Sequence, residues 1–164
     1  MKRQNFLRVC SISLLAAVAA FGCATGKKNA ISLNDMKELS RNHALVVAYN
    51  DGKVNTYNDK GIKPLFRHLE NANFKDSYVF DKVTGKASSL ILAYGGAESL
   101  YTGILSKEAI PVLEKYNIKY SADEIVEYII NQAGDDKCPI EKTVSDIDDP
   151  QIAFQVLKEK FGNN

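Results

Sequence analysis

Cysteine and histidine are scarce in this chain, and their scarcity excludes much chemistry. There are three cysteines and two histidines in 164 residues. Cys10 and Cys23 lie in or beside an N-terminal apolar run, which leaves Cys138 as the only thiol in the remainder. A lone thiol closes no intramolecular disulfide, so packing must hold the fold together. Basic excess is missing too. The formal net charge is +1, and removing residues 1–22, which carry Lys2, Arg3 and Arg8 but no acid, brings it to −2. No electrostatic footprint for nucleic acid remains, and that partner class is excluded. Internal repeats and low-complexity tracts are absent as well.

What is present begins with a signal. A positive start, MKRQNF, is followed by a short apolar run and small residues before Cys23. That is the layout of a secretory signal peptide, and the run is too short for a comfortable membrane span. Ala20-Phe21-Gly22-Cys23 resembles a bacterial lipobox, with Ala20 where leucine is usual and Phe21 where a small residue is usual. The expectation is cleavage before Cys23, lipidation of Cys23, and a lipid-anchored protein of the cell envelope; ordinary signal cleavage and a retained anchor are the alternatives. The chain then divides into a signal peptide (1–22), a tether (23–31) and one domain (32–164), which is long enough for a single compact core.

Within the domain, Ser32 with Asp35 signals a helix start. ALVVAYN (44–50), Asp51-Gly52 and KVNTYN (53–58) read as a β-hairpin. A short helix is expected over 63–71, with Pro64 in its first turn. In DKVTGKASSLILAYGG (81–96), apolar positions run Val83, Ala87, Leu90, Ile91 and Tyr94 at helical spacing. This predicts a helix that Asp81 caps and Gly95-Gly96 end. Residues 98–105 read as a buried strand, Ser106 as the cap of a helix over 107–116, and 117–120 as a short strand. Ser121 and Glu124 form a capping box that predicts a helix over 123–132. Cys138-Pro139 and Asp149-Pro150 open two final helices. A hairpin followed by strand–helix–strand crossovers predicts a mixed sheet covered by helices, an α/β fold of three α/β/α layers.

Three stretches carry candidate chemistry. Gly85-Lys86-Ala87-Ser88 is like the end of a P-loop, but Phe80 stands where its first glycine belongs and Ala87 replaces the metal-binding hydroxyl. The remaining reading is an anion site at a helix N-terminus, with Lys82 and Lys86 adding charge; the structural alternative is a capped helix with solvated lysines. Cys138-Pro139-Ile140-Glu141 places a thiol at a helix start, where its pKa falls, though no second cysteine follows at metal-ligand spacing. Asp146, Asp148 and Asp149 form an acidic run in which Asp149 serves as a cap.

Taken in order, VVAYNDGKV, GIKPL, VFDKVTGKA, EAIPVLEKYNI, YIINQ, CPIE and SDIDDP closely resemble the family called domain of unknown function 1893 (DUF1893), from about Ser32 to Phe161. The resemblance implies a fold similar to the cytidine-deaminase-like superfamily. In such deaminases zinc is held by a His/Cys-x-Glu motif at one helix start and Pro-Cys-x-x-Cys at the next. The implied starts here, 81–87 and 106–110, carry neither motif. The resemblance therefore implies the fold and a pocket between two helix starts, without zinc deaminase activity and with no cofactor or metal. In that pocket Asp81 is the candidate general base, Lys86 an anion clamp and Cys138 a further catalytic candidate. Lys82, Gly85, Ser88, Ser106 and Glu141 are the ligand-binding candidates. The expected ligand is a small anionic or nucleotide-like molecule. The competing expectation is a non-catalytic partner-binding module of the cell envelope, and neither fixes an oligomeric state.

Overall fold

The structure, a computed structural model, describes residues 33–162. The signal peptide, Cys23 and the tether lie outside the described residues. Five strands form one sheet in the order β2-β1-β3-β4-β5. Helix α1 (Leu33–Ser40) leads into β1 (Leu45–Tyr49) and β2 (Val54–Tyr57). These two strands are the expected hairpin, paired Ala48 to Val54 through Leu45 to Tyr57. Its turn needs Gly52, whose φ of +92° lies in the region that residues with a Cβ disfavour. Helix α2 (Lys63–Asn71) follows, with Pro64 in its first turn as expected.

The next element departs from expectation. Residues 77–84 are a strand, β3 (Ser77–Thr84), antiparallel to β1 and parallel to β4. Asp81 sits inside that strand opposite Leu45 and does not cap a helix. The cap of α3 (Lys86–Tyr94) is Gly85. A buried strand shows no clean alternation, and Asp81-Lys82 in its middle imitates a helix start. Then come β4 (Ser99–Ser106) and α4 (Ile110–Lys115), where Ser106 Oγ accepts from the Ala109 N–H at 3.2 Å, close to its expected capping role.

The second departure is larger. Residues 119–126 form β5 (Lys119–Val126), parallel to β4 with Leu100 opposite Tyr120 and Ile104 opposite Glu124. The helix expected over 123–132 does not exist. β5 is the sheet's edge, mostly exposed, so its sequence carries no buried face to betray a period of two, and Ser121-x-x-Glu124 matches a capping box by coincidence. Helices α5 (Pro139–Thr143) and α6 (Pro150–Phe161) complete the chain. Asp149 caps α6 as expected, accepting from the N–H groups of Gln151 and Ile152 at 2.9 Å each.

The main core lies on one face of the sheet. Leu45, Val47, Val79 and Leu100 pack there against Leu90, Ile91 and Leu92 of α3, Leu113 of α4 and Leu157 of α6. On the other face Met36 and Leu39 of α1 cover Val46, Ala48, Phe80 and Tyr101. The fold is thus α/β, a mixed five-stranded sheet with helices packed on it, as the element order predicts. Among the described residues no helix is long and apolar enough to cross a membrane.

Candidate functional site

The three parallel strands β3, β4 and β5 end on the same side of the sheet, and the chain must leave each end through a loop or helix start. Such carboxyl ends are where open α/β sheets leave room for ligands. The junction from β3 into α3 is the tightest of these exits. Its single residue, Gly85, has no room for a Cβ, which would overlap the carboxyl group of Glu141. Glu141 arrives from α5 and is almost wholly buried. Its Oε2 accepts from the Lys86 N–H at 2.6 Å and its Oε1 from the Ala87 N–H at 3.0 Å. A carboxylate on the free N–H groups of a helix start satisfies orphan donors and suits the positive end of the helix dipole. Burial pushes the Glu141 carboxyl above its ordinary pKa, and the two N–H groups work against that. The anion that the sequence expects at this helix start is thus supplied by the chain itself.

Asp81 and Ser88 form a second, separate cluster. The Thr84 hydroxyl donates to Asp81 Oδ2 at 3.1 Å, and the Ser88 hydroxyl and the N–H groups of Val83 and Lys82 also serve this carboxylate. Burial raises its pKa to about 7, the hydrogen bonds opposing the rise. A carboxyl that titrates near neutrality has the proton affinity of a general base. It is turned toward its own strand–helix turn, however.

Lys86 does something different. Its Nζ lies 2.8 Å from Asp148 Oδ1 and 2.7 Å from the Ser145 carbonyl oxygen. Only 14 % of its side chain is exposed, against 75 % for Asp148. Close by, Lys137 Nζ donates to Glu108 Oε1 at 2.6 Å. Together Lys86, Glu108, Lys137, Ser145 and Asp148 line a cavity of about 270 Å³, and Pro111 and Val112 give it an apolar wall. The ammonium of Lys86 holds the Asp148 carboxyl below its usual pKa.

Of the candidates expected from sequence, Lys86 is the one that lines this cavity. Glu141 holds α3, Ser106 caps the turn before α4, and Lys82 is exposed on β3. Cys138 is half-buried and its backbone N–H donates to the Ile129 carbonyl; its side chain makes no capping bond to α5. Glu108, Lys137 and Ser145 were not signalled by any motif. Asp148 belongs to the acidic run, in which only Asp149 has an expected role, as a cap. Only the tertiary fold brings 86, 108, 137 and 148 together, so no local pattern could have announced them.

The sequence also contains one His-x-Glu triplet away from the implied helix starts, His68-Leu69-Glu70 in the middle of α2. It is not arranged to bind metal. His68 is fully buried, with Nε2 2.9 Å from the Tyr49 hydroxyl and 3.0 Å from the Asn73 carbonyl, and Nδ1 3.1 Å from the Tyr57 hydroxyl. Asn73 O can only accept, so Nε2 carries the proton and Nδ1 accepts from Tyr57. Both nitrogens are spent, and Glu70 is exposed. Among the described residues no group of three or more His, Cys, Asp or Glu side chains is placed to hold a metal ion.

Comparison with known proteins places this geometry in a family. No curated protein matches the chain. Among solved structures, a DUF1893 family protein from Thermotoga maritima superposes with a TM-score of 0.71 at 24 % identity, covering 80 % of this chain and 92 % of that one. At that identity the likeness speaks for the fold alone. The family model described as domain of unknown function (DUF1893) matches residues 34–161. That span is nearly the whole described region, and the chain therefore belongs to the DUF1893 family.

Proposed function

We propose that this protein binds a small anion-bearing molecule, nucleotide-like ligands included, in the cavity at the carboxyl ends of β3 and β4. The observation that carries this reading is Lys86, an ammonium largely withdrawn from solvent whose carboxylate partner is a mostly exposed side chain. The Asp148 side chain is exposed enough to rotate toward water and leave its place on the ammonium to a ligand anion. The Ser145 carbonyl keeps the ammonium aimed meanwhile. The scaffold we propose is cytidine-deaminase-like, on the grounds of a hairpin followed by two parallel crossovers with helix starts at one sheet edge. Those starts read Gly85-Lys86-Ala87 and Ser106-Lys107-Glu108, without the zinc motifs, so no zinc-dependent deamination is proposed. The test is a thermal-shift and calorimetric screen of nucleotides and small anions against the protein and its Lys86→Met variant. Binding stabilises by mass action, so a ligand of the cavity raises the melting temperature of the parent protein and much less that of the variant. Shifts of equal size in both place the ligand elsewhere and sink this reading.

A second reading has its own observation. Ile125, Tyr128 and Ile130 are exposed at the end of β5 and just after it, at 54 %, 45 % and 57 %. Apolar side chains grouped on an exposed edge suit a partner-binding module of the cell envelope. A ligand screen without any shift, together with an assembly that Ile130→Asp disrupts, would favour that reading.

A further inference from the structure

We infer that the ligand of this cavity is amphoteric, a short aliphatic molecule carrying one ammonium and one anionic group. This rests on the cavity reading above and narrows its ligand class. The walls carry two ammonium groups, Lys86 and Lys137, and two carboxylates, Glu108 and Asp148, each cation already paired with one acid. The lining is therefore neutral in sum but strongly dipolar in detail. An anion that displaces Asp148 from Lys86 gains the ammonium, but it then faces the released Asp148 and the standing Glu108. Repulsion of that kind selects against a partner as surely as attraction selects for one. A ligand that also brings an ammonium answers both carboxylates.

The two acids are suited to this in different ways. Glu108 spends Oε1 on Lys137, and a carboxylate has room for several donors, so a ligand ammonium can join without breaking that pair. Asp148 is tethered through its backbone, whose carbonyl accepts from Lys115 Nζ at 3.4 Å and from the Tyr116 hydroxyl at 3.3 Å. Its side chain can rotate while the main chain stays. Pro111 and Val112 then offer apolar surface to the methylenes between the ligand's two charges.

The experiment is calorimetric titration of the purified chain with ω-amino acids of two to six carbons, the matching carboxylic acids that lack the amine, and adenosine monophosphate. The parent protein, Lys86→Met and Glu108→Gln are compared, each checked for folding by circular dichroism. The expected result is that at least one ω-amino acid binds ten-fold or more tightly than its amine-free counterpart. Lys86→Met loses both, and Glu108→Gln loses the preference between them. If amine-free acids or the nucleotide bind equally well through Lys86, the amphoteric ligand is wrong while the cavity reading stands. If no member of the panel binds in a way that depends on Lys86, both are wrong.

Discussion

Two buried titratable side chains set opposite demands on this protein as pH changes. Burial raises the pKa of Asp81 in the folded chain from 3.8 to about 7. Its unfolded form ionises first, so the folded state binds more protons between those values, and acidification from pH 8 toward pH 4 stabilises the fold through this group. His68 runs the other way. Burial lowers its pKa from 6.5, and its Nδ1 must stay free to accept from Tyr57. Its contribution is complete above pH 6.5 and is lost as pH falls through the lower folded value. Asp81→Asn removes one side of this balance. Urea midpoints measured from pH 8 to pH 5 should show the parent gaining, through Asp81, ~2–3 kcal/mol that the variant lacks. Parallel slopes for the two proteins would mean that Asp81 does not hold a raised pKa. Asp81 is singled out in the sequence as a helix cap and candidate general base. Its neutralising environment was not legible, because Thr84 and Ser88 reach it only once β3 ends and α3 turns back.

At the scale of elements, α3 is anchored by α5 through one side chain. Gly85 has extended backbone angles, φ −103° and ψ −169°, that alanine also adopts, so glycine is needed here for space and not for conformation. Gly85→Ala drives its methyl group into the Glu141 carboxyl and breaks two hydrogen bonds from the α3 start. Bonds to a charged group are worth about 1.5–3 kcal/mol each, so a loss of about 3 kcal/mol is expected by chemical denaturation. In a Glu141→Ala background the same substitution should cost under about 1 kcal/mol, because the obstacle has gone. Equal cost in both backgrounds would locate the strain elsewhere. This contact shows where sequence reading reaches its limit. The hairpin at 44–58, α2 with its Pro64 and α6 with its Asp149 are specified by residues adjacent in sequence, and they form as expected. β3 and β5 are specified by pairing with β1 and β4. Local signals there, Asp81 before an apolar stripe and Ser121 with Glu124, pointed to helix, and long-range strand pairing overrode them. Glu141 looked like a ligand-binding residue for the same reason: its partners lie more than fifty residues away.

For the molecule as a whole, we propose a lipid anchor at Cys23, set apart in sequence from the domain that carries the cavity. Nine residues, 24–32, separate Cys23 from α1, a reach of at most ~30 Å at about 3.4 Å per residue. An anchor of that length would hold the domain beside a membrane surface. Without residues 1–22 the chain would carry a formal charge of −2 and offer an anionic lipid surface no electrostatic attraction of its own. Membrane attachment would then depend on acylation at Cys23. Cys23→Ser should move the chain from the membrane pellet to the soluble fraction on cell fractionation. Mass spectrometry of the parent protein should show a fatty-acylated N-terminal peptide that is missing from the variant. If the anchor segment is independent of the domain, the purified variant should keep the melting temperature of the delipidated parent to within about 1 °C, a substitution outside a packed fold being close to neutral. A variant that stays in the pellet would require another means of attachment, such as a retained apolar N-terminus. A variant with altered melting would mean that the segment before α1 packs on the domain.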